Sequence, residues 1–381
     1  MPSRTQNGPN AAADGTGLAA SGDGAERKWV QVSETAEQAA VATGAHRGGP
    51  AGRGGGGAAL WGVLRMFGRQ REATVFVVAA ALFLYFAIDK GSDFTSKANL
   101  VTVFSDNTAP YAIIALGEVM LLICGEIDLS VGFVVGFAPY LMYFLITFYH
   151  FPGLLALLFA LLLGLVVGWV NGFFTVTIGV PSFITTLGTG FVLLGLIDTT
   201  SHDQPANIPA QVLGIGKWIA TYSWAPIIWA IVLTAIFQIL LTRTRWGLHT
   251  VSVGGNQLGA REAGIHVNRI KYGNFMLTGV LGSLVGLQTM YFTNNIAPTA
   301  GSYQWMFYAV TAAVIGGTAM LGGVGTIIGA FLGAVALGIL LDGFPLVGIG
   351  ADPLNIVFGA AILAAMVANV QLTRVRERGH G

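Results

Sequence analysis

The chain has 381 residues, of which 54% are apolar and 10% charged, with 19 basic and 18 acidic side chains and a net charge of +1. An ordinary soluble domain carries roughly 25% charged residues, so this chain cannot clothe a water-facing surface and reads as an integral membrane protein. The small net charge gives no bulk attraction to nucleic acid, and a single cysteine, Cys124, excludes an intrachain disulfide framework and a cysteine-based zinc site.

Residues 1–59 are rich in Gly, Ala, Ser, Thr and Gln and end in four consecutive glycines, Gly54 to Gly57. A segment without apolar periodicity cannot offset its ordering entropy, so a disordered tail is expected there. It lacks the apolar stretch and cleavage site of a signal peptide. The expected organisation is this tail, a transmembrane domain over 60–376 and a short end at 377–381.

From Ala73 onward the chain becomes a series of apolar stretches. Spans are predicted at 73–89, 107–124, 129–149, 153–178, 181–199, 222–242, 272–293, 305–320, 322–341 and 353–371, several of them near the roughly 20 residues that cross a bilayer core. The second runs into Gly125-Glu126-Ile127-Asp128 and the eighth into Gly322-Gly323. Such interruptions predict broken or re-entrant helices, which protein or a water-filled path must surround.

Basic residues orient the spans. Of the 19 Lys and Arg, 16 lie before the first span, between the sixth and seventh, or after the last. The positive-inside rule puts all three regions in the cytoplasm, which demands an even number of crossings between them. Six and then four satisfy that demand, giving about ten transmembrane helices with both termini cytoplasmic.

The sequence also echoes itself. At an offset of 197 residues, Tyr111-Ala112 aligns with Tyr308-Ala309, Gly125 with Gly322, Gly132 with Gly329 and Gly136 with Gly333. A parallel internal repeat is expected, as in many transporter folds. Glycines at four-residue spacing, such as Gly164/Gly168/Gly172 and Gly282/Gly286, read as packing faces that let helix backbones approach closely.

Recognisable enzyme chemistry is lacking. There is no Gly-x-x-x-x-Gly-Lys-Ser/Thr phosphate loop, no His-Glu-x-x-His and no nucleophile elbow, and the six histidines are scattered. Intramembrane acids carry the stronger signal, because charge at mid-bilayer costs from about 2.5 kcal/mol upward. Glu118 sits far in sequence from any basic residue, and Glu126 and Asp128 lie at the first break. Glu118 reads either as part of a polar path, where it could carry a proton, or as a neutral carboxyl bonded to backbone. Asp128, two residues before Ser130 at a helix start, reads as a capping residue. In the long basic segment, Asn256 is a plausible cap for a short helix over Leu258 to Ala263, closed by Gly264.

Four blocks of sequence resemble the permease subunits of bacterial ATP-binding-cassette importers for monosaccharides, the ribose/xylose/galactose type. Gly125-Glu126-Ile127-Asp128-Leu129-Ser130-Val131-Gly132 is similar to that family's G-G-I-D-L-S-V-G. Pro181-Ser182-Phe183-Ile184-Thr185-Thr186-Leu187-Gly188 fits P-x-F-I-x-T-L-G, and Gly255-Asn256, Ala260, Gly264-Ile265 and Val267 match the cytoplasmic coupling segment. The run Ala313 to Thr318, with Gly316 and Gly317, followed by Gly322-Gly323 and Gly325-Thr326, matches the family's I-G-G-T block with its trailing glycines. Glu126 departs from the pattern where a glycine is usual, and Glu118 occupies a position more often uncharged.

The resemblance covers about Phe94 to Arg376 and implies a multi-pass permease of the bacterial cell membrane, surrounded by lipid. Its partners would be a second permease subunit, identical or not, a cytoplasmic ABC ATPase and an extracytoplasmic sugar-binding protein. The chain itself would hold no cofactor, ATP and Mg being bound by the ATPase. The helix at 254–267 becomes a coupling helix, with Asn256, Ala260, Glu262, Gly264 and Ile265 meeting the ATPase. Glu118, Glu126, Asn171, Phe183 and Thr186 are the candidates to line the path. Two other functions fit the residues: a proton-coupled secondary transporter using Glu118, and an ABC permease for a non-sugar solute.

Overall fold

The computed structural model describes residues 71–350 apart from Thr221, together with Pro353, Asn355, Ile356, Gly359, Ala360 and Leu363. The predicted tail at 1–59 and the C-terminal arginines lie outside these residues, as does most of the predicted span 353–371. Among the described residues the protein is all helix, the one β-pairing being an isolated bridge between Ala206 and Ile296.

In chain order the helices are α1 (Arg71–Lys90), α2 (Ser92–Thr95), α3 (Lys97–Val101), α4 (Ala109–Ile123), α5 (Val131–Thr147), α6 (Gly153–Gly172) and α7 (Ser182–Ser201). They continue as α8 (Ala210–Ile219), α9 (Ala225–Arg243), α10 (Arg245–Gly255), α11 (Gln257–Glu262), α12 (Val267–Thr293), α13 (Tyr303–Ile315) and α14 (Ile327–Leu346). Every predicted span within 71–350 has a helix in its place. Among the described residues, seven helical stretches are long and apolar enough to cross a membrane: 72–90, 97–123, 153–178, 182–201, 225–243, 267–293 and 327–346.

Two predicted spans are shorter than a crossing. Helix α5 has 17 residues and α13 only 13. The prediction carried α13 on to residue 320, but Gly317, at φ +96°, turns the chain out of the helix directly after its C-cap, Gly316. The opposite error occurs before α4. The prediction began this span at residue 107, yet a π-helical segment, Thr102–Asp106, carries the backbone from α3 towards α4. Thr108 Oγ1 donates to the Val103 carbonyl at 2.8 Å, which ties the junction together.

Helix α4 is the axis of the bundle. Each of its residues from Ala109 to Ile123 is buried, as expected for a helix that is apolar on all sides. Helix α12 packs against α4, α5 and α6. Its approach to α6 needs glycine: a Cβ on Gly164 would overlap the Gly279 carbonyl, and one on Gly279 would overlap that of Gly164. The outer helices turn large apolar groups outward, among them Phe76, Ile88, Leu154, Ile184, Val192 and Ile231. In water such a surface would aggregate, whereas against acyl chains it carries no penalty.

Candidate functional site

The signature block opens on a helix stop. The Gly125 N–H donates to Leu122 O at 2.9 Å and the Glu126 N–H to Leu121 O at 3.0 Å, with Gly125 at φ +75°. This is a Schellman closure, in which a left-handed residue satisfies the last carbonyls of a helix. Helix α13 ends the same way, Gly317 N donating to Val314 O and Thr318 N to Ala313 O. The sequence echo aligned Gly125 with Gly322, which is also left-handed at φ +92°. The glycine that closes the helix in the second copy is Gly317, so the constant offset is not kept at this helix end.

Beyond the stop, four side chains meet. The Ser130 N–H and hydroxyl both donate to Asp128 Oδ1, at 2.9 and 2.6 Å. Asn171, from α6, donates through Nδ2 to both Asp128 oxygens at 3.2 and 3.1 Å and to Ser130 Oγ at 2.8 Å. The Asp128 N–H in turn donates to Glu118 Oε2 at 3.4 Å. All four residues are buried, and Glu118 Oε1 and Asn171 Oδ1 have no hydrogen-bond partner among the described residues. The block of α7 joins through Ser182, whose hydroxyl accepts from the Ile127 N–H at 3.3 Å.

The predicted path residues thus divide. Glu118 and Asn171 share one buried cluster with Asp128 and Ser130. Thr186 is buried on α7, its hydroxyl donating back to Ser182 O at 2.7 Å. Phe183 is exposed on the outer side of α7. Glu126 forms an ion pair with Lys271 of α12 at 2.6 Å.

A second network lies on the other side of the stop. Asn274, one helical turn after Lys271, donates through Nδ2 to Met120 O at 3.1 Å, Cys124 Sγ at 3.3 Å and Thr250 Oγ1 at 3.4 Å. Its Oδ1 accepts from Trp246 Nε1 at 2.9 Å. The Cys124 thiol donates to Thr250 O at 3.7 Å. Sequence reading missed Lys271, Asn274, Trp246 and Thr250 as partners of the signature, since each looked ordinary in its own helix. A signal was present in Asn274, a polar residue among apolar neighbours in a long span.

The glycine blocks close the arrangement from a third direction. Gly323 N–H donates to Ile123 O at 2.8 Å. A Cβ on Gly322 would lie 3.1 Å from Ile123 O, 3.2 Å from Gly254 O and 3.4 Å from Gly125 N. The signature, the basic segment and the glycine-rich turn after α13 therefore touch backbone to backbone at the end of α4.

From this junction the basic segment runs outward. Asn256 Oδ1 accepts from the Gly259 N–H at 2.9 Å and caps α11, and Gly264 at φ +79° ends it. Ala260 is buried with Cys124, Val253, Val267 and Ile270, with Ile265 packed at the edge. Gln257, Leu258, Arg261 and Glu262 are exposed. An open concavity of about 550 Å³ beside α11 is lined by Arg261, Gly264, Ile265, His266, Val267, Asn268 and Arg269. One short helix thus offers a solvent-facing edge and roots its other face beneath the signature.

Residues 99–366 match the family described as "Branched-chain amino acid transport system / permease component". The xylose/arabinose import permease protein XylH of Sulfolobus acidocaldarius is 34% identical over 315 residues, covering 80% of this chain and 86% of that protein. The fructose import permease protein FrcC of Rhizobium meliloti is 26% identical over 315 residues, with coverage of 80% and 86%. The autoinducer 2 import system permease protein LsrC of Salmonella choleraesuis is 29% identical over 325 residues, with coverage of 83% and 90%. No solved structure matches the chain.

Proposed function

The chain belongs to this family of transport-system permease components, and from that premise we propose that it is the membrane subunit through which an ATP-driven importer admits a monosaccharide. XylH and FrcC, which carry pentose and fructose import in their names, support a sugar over an amino acid.

In the proposed complex two permease subunits, identical or not, span the membrane, with about ten crossings each and both termini in the cytoplasm. The path is proposed to run between the two halves of the parallel repeat. A cytoplasmic ATPase binds ATP and Mg, and an extracytoplasmic binding protein docks on the outer segments 199–221, which contains α8, and 342–352. The permease itself forms no covalent intermediate. It supplies two packings of one bundle, and the ATPase shifts the balance between them. When α11 moves with the ATPase, its displacement reaches the end of α4 and the buried polar cluster.

The observation that carries this reading is the meeting of the signature, the coupling segment and the glycine turn at Ile123. A scaffold would need neither an exposed helix rooted at that junction nor a buried polar cluster beside it. Glu118, Asn171 and Thr186 are proposed to line the path, and Asn256, Ala260, Glu262, Gly264 and Ile265 to form the coupling helix. The test is co-purification: the tagged chain should retain an ABC ATPase that hydrolyses ATP faster when the loaded binding protein is added. A chain that purifies without an ATPase and moves solute on a proton gradient alone would overturn the proposal.

A further inference from the structure

The ion pair between Lys271 and Glu126 ties the signature block to α12 at 2.6 Å. Both side chains are nearly buried, at 11% and 12% exposure, where an unpaired charge is unfavourable and a paired one fixes its neighbours in register. Lys271 lies in the second turn of α12, close after α11. Glu126 lies two residues before Asp128, whose N–H holds Glu118 and whose carboxylate holds Asn171. The pair therefore joins the start of α12 to the segment that carries the buried cluster.

Asn274 supplies a second tie beside the first. Its amide uses both ends, accepting from Trp246 of α10 and donating to Met120 and Cys124 at the end of α4 and to Thr250 of α10. The same elements also pack through the apolar group of Cys124, Val253, Ala260, Val267 and Ile270, with the backbone of Gly254 seated against Ile123 O. Two polar ties added to a packed cluster resist sliding as well as separation.

We propose that Lys271, Glu126 and Asn274 are positioning residues that weld α10, α11, the start of α12 and the end of α4 into one rigid block, so that motion of the coupling helix reaches Asp128 and Glu118 without slack. The proposal rests on the importer reading above, and it assigns the transmission to the Lys271–Glu126 ion pair and the Asn274 tie. Replacing Lys271 would leave the ATPase docked on α11 while its stroke is spent in deforming the junction.

The test uses the full chain with its ATPase and binding protein in proteoliposomes and reads solute taken up per ATP hydrolysed. Lys271→Met and Glu126→Gln should each lower that ratio about fivefold or more, and Lys271→Arg should keep it within twofold of wild type. The double variant should fall no further than either single one, because the tie is already broken. Thermal unfolding of the purified chain provides a readout independent of transport, and the two single shifts should not add in the double variant. A wild-type ratio in Lys271→Met, losses that multiply in the double variant, or additive thermal shifts would overturn the weld. Wild-type protein that shows no ATP-dependent uptake while the thermal shifts are non-additive would instead overturn the importer reading and leave the ion pair as the assigned brace.

Discussion

Asn171 on α6 and Asp128 in the break after α4 are 43 residues apart in sequence, and the Asn171 amide donates to both Asp128 carboxylate oxygens, at 3.2 and 3.1 Å. With Ser130 donating from N and Oγ, the carboxylate is held in one orientation, and its own backbone N–H is aimed at Glu118. A break in a membrane helix exposes backbone that lipid cannot satisfy. Here the side chains that satisfy it also create the buried polar cluster.

Asn171→Leu should therefore damage both stability and transport. It removes the donor of both bonds to Asp128 and leaves a buried carboxylate underbonded, a loss of about 1–3 kcal/mol. A lowered unfolding midpoint in detergent, together with lost uptake, is the expected outcome. Asn171→Asp should be worse, because it sets a second carboxyl against the first.

Glu118→Gln and Glu118→Leu should separate sharply. Glutamine keeps an acceptor for the Asp128 N–H, so the folded state should stay within about 1 kcal/mol of wild type. Leucine removes that acceptor and should cost about 1–3 kcal/mol. Uptake by wild-type protein should survive a protonophore as long as ATP is supplied, which a proton-carrying Glu118 would not allow.

The coupling helix is open to a cleaner test. Glu262 is exposed on α11, so Glu262→Lys should leave the fold and membrane insertion intact while uptake falls relative to ATP hydrolysis. Gly264, at φ +79°, should reject a β-branched residue, because a left-handed conformation costs an L-residue about 1–2 kcal/mol. Gly264→Val should uncouple in the same assay. Normal uptake per ATP in both variants would remove α11 from the coupling role.

Glycine packing gives a prediction of pure structure. Gly164→Ala pushes a methyl into the Gly279 carbonyl and should destabilise the chain by about 1–3 kcal/mol through forced separation of α6 and α12. Gly188, where an added Cβ meets nothing within 4 Å, should accept alanine with no loss. Matching unfolding midpoints for the two variants would refute the close approach.

Much of this was legible in the sequence. Apolar length located α1, α4 to α7, α9 and α12 to α14, while the short helices α2, α3, α8 and α10 fall outside every predicted span; Asn256 and Gly264 marked the ends of α11, because capping chemistry is local. The glycine repeats announced close packing for the same reason. The extension of the 97–123 stretch through Ser105 and Asp106 was not legible, since a π-helical turn reads as polar breakage. Neither was the early end of α13. The two networks at the end of α4 were hidden for a different reason. Glu126, Lys271, Asn274, Trp246 and Thr250 come from the α4 break, α10 and α12, and no local pattern reports that these meet. Glu126 looked like a path residue because an acid at a break usually is one, and its partner lay 145 positions away.

The measurement that bears most directly on the central proposal is solute accumulation by the chain reconstituted with its ABC ATPase and binding protein, using a panel of labelled monosaccharides. Uptake of at least one monosaccharide should require ATP inside the liposomes with the ATPase, require the loaded binding protein outside, and persist when the proton gradient is collapsed. Accumulation without ATP, or accumulation abolished by the protonophore while ATP is present, would contradict it.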